Sequence, residues 1–299
     1  IIRTFTDRSP GAYYLYNVES NSLKKLSDIN PSIKETEMCE MKPISYVTPD
    51  GFKINGYLTL PLWLKPEKLP VVVMPHNGPG QRNSWGFNAD VQFLANRGYA
   101  VLQVNYRGST GYGKEFYAAG FKEWGQKIQQ DVDAGVQWLI DQKIADPQRV
   151  ATYGYGFGGL VAINSAVANP KMYKCAGSSA GVLNLFSYLK TIPPFLTSNL
   201  QMFYEIVGNP DKDADYMRQA SPVFHADKIK IPVFITQNSK DPRINGNDAL
   251  QFVKELKKLN SPVTYLEKEE SRNVLSREEA RKKSYAALEL FLQDNLRKR

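Results

Sequence analysis

The chain is predicted to be an α/β protein, built on a mostly parallel sheet with helices on both faces. Short, almost purely apolar runs alternate with amphipathic stretches from about residue 42 onward. The stretch "VATYGYGFGGLVAINSA" (150–166) passes from β-type residues through a glycine cluster into a small-residue helical pattern. Strands that are apolar on both sides argue for a sheet covered on both faces, because a strand with one wet face would alternate.

The elements follow in order. In "AYYLYNVESNSLKKLSD" (12–28), alternating apolar positions flank a Glu19–Ser22 turn, which predicts two short strands. A lone hairpin is marginal in water, so this one needs neighbours. "ISYVTPDGFKINGYLTLP" (44–61) is a second hairpin, turning at Pro49-Asp50-Gly51. Strands are then expected at Val71–Met74, Tyr99–Val104, Val150–Gly154, Tyr173–Ser178, Val233–Thr236 and Val263–Leu266. Helices are expected near 87–97, 128–142, 158–168, 247–259 and 277–294. The stretch 183–225 breaks the alternation and is expected to be a helical excursion over the edge of the sheet.

Composition narrows the function classes. With 299 residues and 42% hydrophobic content, the chain can bury a large core, as one domain or one domain plus a fragment. No apolar run approaches the roughly 20 residues that span a bilayer, and no membrane role is expected. The opening "IIRTFTDRSPG" starts in mid-pattern and is expected to be the cut edge of a longer protein. Cys39 and Cys175 lie far apart without metal-ligand spacing and are expected to be two buried thiols. With only His76 and His225 beside them, no zinc site is expected. The net charge of +8 invites a nucleic-acid reading, but the basic residues are scattered apart from Arg281–Lys283 and Arg297-Lys298-Arg299. No nucleic-acid partner and no cofactor are expected. Nothing fixes the compartment, with a cytoplasmic one slightly favoured, and oligomerisation is left open.

The glycine cluster carries the chemistry. A strand, a sharp turn and a helix are the setting in which Gly-x-Ser-x-Gly presents a nucleophilic serine. Here the pattern is Gly154-Tyr155-Gly156-Phe157-Gly158, with glycine where the serine belongs.

Five ordered stretches then resemble the catalytic domain of the prolyl oligopeptidase family, its acylaminoacyl-peptidase-like branch most closely. They are "PHNGPGQRNSWGFNADVQFLANRGYAVL" (75–102), "NYRGSTGYGKEFY" (105–117), "EWGQKIQQDVDAGVQWLI" (123–140), "IADPQRVATYGYGFGG" (144–159) and "SPVFHADKIKIPVFI" (221–235). The resemblance covers residues 42–299 and implies an α/β-hydrolase fold. Residues 1–41 resemble the last strands of the β-propeller that precedes this domain in the family.

The implied chemistry is peptide hydrolysis by serine, aspartate and histidine in that chain order. The nucleophile position falls on Gly156, which has no side chain. The acid position falls on Asp241 in "QNSKDPRI", where Asp241 and Arg243 match the family pattern and Gln237 and Asn238 depart from it. The base position, counted back from "YAALELFL" with Tyr285 and Phe291 in place, falls on Asn273, in the loop "SRNVLSREEAR". Asparagine can hold a hydrogen bond to Asp241 but cannot take up a proton near neutral pH. Independently of register, no histidine follows His225, so the base is absent.

Other residues were weighed singly. Gly177-Ser178-Ser179-Ala180-Gly181 is a formal Gly-x-Ser-x-Gly, but no clean helix start follows it, so Ser179 is expected in a strand-end turn. His76 sits in "HNGPG", where the family's His-Gly-Gly-Pro loop contributes to the oxyanion site. Either it serves that site or its ring orders a tight turn. Asn77, Tyr155 and Phe157 are the other expected oxyanion or pocket residues. His225 is expected to be structural and Arg107 a buried ion-pair partner. Trp85, Trp124 and Trp138 are expected in the core or a pocket wall, and Glu267, Glu269 and Glu270 on a solvated face.

Three functional expectations follow. The leading one is a pseudo-peptidase that keeps fold and pocket and acts by binding peptides or a protein partner, or by assembly. The second is a hydrolase with residual or rearranged chemistry on short peptides, with water activated by Asp241. The third is a structural module whose pocket has closed.

Overall fold

The computed structural model describes residues 1–238, 241, 244–268 and 274–297. Two sheets organise them. The first is three-stranded and antiparallel, in the order β1 (Ile2–Thr4), β2 (Ala12–Asn17), β3 (Ser22–Asp28). The predicted hairpin thus gains one neighbour, β1. Every residue of β3 is nevertheless exposed. The segment is moored at its exit: Asp7 accepts from the Met41 N–H at 2.8 Å, and the Gln92 amide donates to Asp7 O and Cys39 O while accepting from the Cys39 N–H.

The second sheet has eight strands: β4 (Met41–Val47), β5 (Lys53–Thr59), β6 (Leu69–Val73), β7 (Ala100–Asn105), β8 (Ala145–Tyr155), β9 (Cys175–Ser179), β10 (Val233–Asn238) and β11 (Val263–Lys268). Their spatial order is β11-β10-β9-β8-β6-β7-β5-β4. The β4–β5 and β5–β7 pairs are antiparallel and the other five are parallel. All six strands expected after the second hairpin are present.

Side-chain direction explains the two-faced covering. Val71 and Val73 point into one core cluster and Val72 into the other, as the two-residue period of a strand requires. Helices α1 (Ala89–Asn96) and α9 (Val274–Leu296) close the face that holds Val72, Val101, Ala151 and Phe234. The helices α3 (Lys127–Asp141), α4 (Phe157–Ala168) and α8 (Gly246–Lys258) pack into the clusters of the opposite face, and the short α2 (Lys114–Ala118) precedes them. The α3 residues Ile128, Val132, Val136 and Leu139 recur at helical spacing and are all buried. Helix α4 is buried on all sides from Phe157 to Ala166, as a uniformly apolar, small-residue helix must be.

The stretch 183–225 is helical, with α5 (Leu185–Lys190), α6 (Leu200–Ile206) and α7 (Ala214–Ala220). Rather than lying only over an edge, it puts Leu185, Val207 and Met217 into the main core cluster. Its six buried hydrophobic contributors give it reason to pack inward, since each fully buried large apolar side chain is worth about 1.5–3 kcal/mol. Helix α9 begins at Val274, so the part of "SRNVLSREEAR" from Val274 onward is helix and not loop. Cys39 and Cys175 are both buried and free.

Candidate active site

Strand order sets the location. β6 pairs with β7 on one side and β8 on the other, so chain direction across the sheet reverses at β6. The carboxyl ends of strands at such a switch point frame a crevice. The loop after β6, the turns after β8 and β9, and the segment after β10 all open there.

The turn after β8 has the geometry of a nucleophile elbow. Gly156 has φ +58° and ψ −120°, a conformation that strains any residue with a Cβ. Its N–H donates to Ser179 O at 3.1 Å, and its carbonyl accepts from Gly159, Leu160 and Val182. Close approach sets the flanking glycines: a Cβ on Gly154 would lie 2.2 Å from the Gly158 backbone. The positive φ at residue 156 therefore sits in an intact strand–turn–helix.

The volume beside Gly156 is occupied. Asn77 Oδ1 accepts from the Gly78 N–H at 2.9 Å and from the Phe157 N–H at 2.9 Å. Phe157 is the first residue of α4, so its N–H is among the donors a helix cannot satisfy internally.

His76 serves the turn. Its ring is buried, stacks on Tyr106 with centroids 4.1 Å apart, and contacts Asn77 O through Nδ1 at 2.5 Å and Ser109 Oγ through Nε2 at 2.7 Å. Burial pushes the imidazole down to about 4, so it is neutral near pH 7. A neutral ring has one proton to give, and Asn77 O can only accept. We therefore assign the proton to Nδ1; the Ser109 hydroxyl stands 2.7 Å from Nε2 and donates its own proton to the Tyr106 carbonyl. The Tyr106 carbonyl, 2.6 Å from that hydroxyl, is also served by the Ser109 N–H at 3.0 Å. Tyr106 returns its own hydroxyl to His76 O at 2.9 Å. Of the two roles weighed for His76, the geometry matches turn ordering. Neither Tyr106 nor Ser109 was singled out in the sequence, because their part depends on the fold bringing them under the β6 loop.

Two cavities adjoin Gly156. The larger, about 930 Å³, is lined by His76, Asn77, Tyr155, Ser179 and Asp241, among others. The smaller, about 270 Å³, lies against the helical segment and is walled by Tyr155, Phe157, Tyr188, Ile192, Leu196 and Phe203. The structure thus brings Asp241, Asn77 and Tyr155 to the larger cavity, while Gly156 and the buried Phe157 line only the smaller, which shares the Asn77 and Tyr155 walls. Asp241 follows β10, and its N–H donates to Asn238 O at 3.2 Å. Asn273 and Arg243 lie outside the described residues, as do Glu269 and Glu270. The pocket walls Tyr188, Leu196 and Phe203 were missed in the sequence; the aromatic clustering within 183–225 was their only signal.

The remaining residues fall as follows. Ser179 is the last residue of β9, buried, and its hydroxyl accepts from Thr236 at 2.8 Å. His225 Nε2 contacts the carbonyls of Arg218 and Gln219. Arg107 is buried and forked onto Asp131, with Nη2 to Oδ1 at 2.6 Å, and reaches Asp50 at 3.0 Å. Trp124 is core and Trp138 packs against it, but Trp85 is 43% exposed, its indole N–H donating to Met41 O at 3.0 Å. That bond satisfies the indole without burial, so Trp85 is neither core nor pocket wall. Glu267 is exposed on β11 itself. Among the described residues, no group of three or more His, Cys, Asp or Glu could hold a metal ion. Among them too, no helix is long and apolar enough to cross a membrane.

Fold, strand order and elbow define an α/β-hydrolase fold. The chain belongs to the prolyl oligopeptidase family (Peptidase_S9), whose profile matches residues 85–299. It is 34% identical over 293 residues to dipeptidyl aminopeptidase BIII of Pseudoxanthomonas mexicana, covering 95% of this chain and 42% of the relative. It is 30% identical to dipeptidyl peptidase family member 6 of Caenorhabditis elegans, covering 96% and 42%. The chain therefore spans less than half the length of these relatives. Among solved structures, a puromycin-hydrolysing peptidase of Mycobacterium tuberculosis superposes with TM-score 0.86 at 24% identity, covering 98% of this chain and 46% of that one. Pyrococcus horikoshii acylaminoacyl peptidase gives 0.83 at 24%, covering 99% and 48%.

Proposed function

We propose that this domain no longer hydrolyses peptides and acts by binding a peptide or a protein partner. The observation that carries the reading is Gly156: the elbow keeps its geometry and offers no oxygen at its tip. Two further facts support it. The triad base cannot be supplied by either histidine, since His76 is spent on its turn and His225 on two carbonyls, and both precede Asp241 in the chain. Losing the serine or the histidine of such a triad costs on the order of 10⁶ in turnover, and the two losses do not add. The binding half of the proposal rests on the retained cavities. The smaller one, apolar and aromatic, suits a single apolar side chain, and the larger leaves room for the adjoining peptide.

The domain division belongs to the same proposal. Residues 1–41 are the tail of a β-propeller and residues 42–299 the peptidase-like domain. In support, β3 is exposed along its whole length, as a strand cut from a larger array would be.

The test is labelling with a fluorophosphonate serine-hydrolase probe, beside an intact relative, together with turnover of dipeptidyl and acylaminoacyl p-nitroanilides. No label and no turnover above buffer are expected. Labelling near one per chain, at Ser179 or any other serine, would overturn the reading in favour of rearranged hydrolysis.

A further inference from the structure

Two backbone N–H groups at the crevice converge on one oxygen, and that oxygen belongs to the chain itself. Asn77 Oδ1 accepts from Gly78 and Phe157, each at 2.9 Å. A Cβ built on residue 156 would stand 2.3 Å from the same Oδ1 and 2.8 Å from Asn77 Cγ. Real Cβ atoms do not approach heavy atoms so closely, so the present Asn77 position and any side chain at 156 exclude one another. The backbone strain at φ +58° is a separate obstacle, and it would remain if Asn77 were removed.

We infer that Asn77 is an internal plug of the crevice. Its amide carbonyl occupies the donor pair and the volume beside residue 156, so an incoming carbonyl or carboxylate reaches those donors only after displacing it. Three observations fit together here. The oxygen accepts two N–H bonds of ordinary length, which a side chain merely resting in a gap would not. Its neighbour His76 holds the Asn77 backbone by accepting no freedom from it: the Nδ1 contact to Asn77 O at 2.5 Å fixes the peptide from which the side chain springs. Asn77 also lines both cavities, so there is space for the side chain to rotate out. The side chain lacking at position 156 and the amide that fills the space are thus complementary in volume.

This inference stands apart from the proposed loss of catalysis, since a chain without the plug would still lack its nucleophile. It is tested on the full chain by site-resolved amide exchange at Phe157 and by a mutant cycle. Asn77→Leu has similar size and no acceptor, and is expected to speed exchange at the Phe157 N–H about tenfold or more, the effect of losing one hydrogen bond to a partly buried donor. Asn77→Asp keeps the acceptor and is expected to keep exchange slow. In the cycle, Gly156→Ala is expected to lower Tm by more in the parent than in the Asn77→Gly background, where only strain remains. Unchanged Phe157 exchange in Asn77→Leu would overturn the proposal. So would equal Tm losses in the two backgrounds. Should Asn77→Leu fail to fold, the comparison of Asn77→Gly with Asn77→Asp gives the same readout.

Discussion

Arg107 and Asp131 meet in a buried, two-pronged ion pair. The guanidinium donates Nη2 to Oδ1 at 2.6 Å and Nε to Oδ2 at 2.9 Å, and the Arg107 N–H donates to Oδ2 at 2.8 Å. The pair ties the end of β7 to α3. A second carboxylate, Asp50 of the β4–β5 turn, accepts from the outer face of the same guanidinium and is 42% exposed.

The two carboxylates should therefore differ sharply in what they contribute. Removing one partner of a buried pair leaves an uncompensated charge and costs about 3–5 kcal/mol. Arg107→Met and Asp131→Asn are expected to lose stability on that scale. Asp50→Asn should cost no more than about 1 kcal/mol, as solvent screens its side of the contact. Denaturant unfolding of the three variants checks this, and equal losses for Asp50→Asn and Asp131→Asn would contradict it.

Acid should unfold the protein partly through His76. Its folded value is near 4 against an ordinary 6.5, so between those limits the unfolded chain binds a proton that the folded chain refuses. Stability is then fully present above pH 6.5 and declines as pH falls toward 4. The shift corresponds to roughly 3 kcal/mol for this fully buried ring. Asp133, raised by burial to about 6, has the opposite sign: the folded state holds its proton, so this contribution is present at low pH and is lost as pH rises toward 6. Asp50, held down near 2 by Arg107, contributes stability that is fully present above about pH 4 and is lost as pH falls toward 2. A His76→Gln variant separates the effects. Its stability should change less between pH 6.5 and 4.5 than the parent's, and an identical slope would rule out His76 as the source.

Gly156→Ser alone is expected to stay silent toward fluorophosphonates and peptide substrates. A hydroxyl without a base remains protonated, and the new side chain would first have to evict Asn77. Activity should require at least Gly156→Ser, Asn77→Gly and Asn273→His together. Robust turnover by the single variant would mean that a base exists elsewhere.

Gly156→Ala should be destabilising by about 1 kcal/mol or more, since the residue sits in a region costing 1–3 kcal/mol for a side chain with a Cβ. Urea titration of parent and variant measures this directly. An alanine variant that melts at or above the parent temperature would refute the strain argument.

The order and type of the elements were legible in the sequence because they depend on neighbours along the chain. Val71–Val73, Ala100–Leu102 and Val150–Ala151 are apolar on consecutive positions, which only a strand between two layers can bury. That residue 156 is a glycine and that no histidine follows His225 were equally legible, since residue identities need no coordinates. The plug was not: Asn77 was marked only as a pocket residue. Its meeting with Gly156 follows from β6 and β8 being adjacent although β7 lies between them in sequence. The partners of Arg107 and His76 were hidden for the same reason. Periodicity reports which face of an element is apolar, whereas the side chains that meet across an element boundary depend on strand order, and strand order is set by burial of the whole sheet at once. Only the tertiary structure could decide that the space beside Gly156 is filled by an amide from another loop.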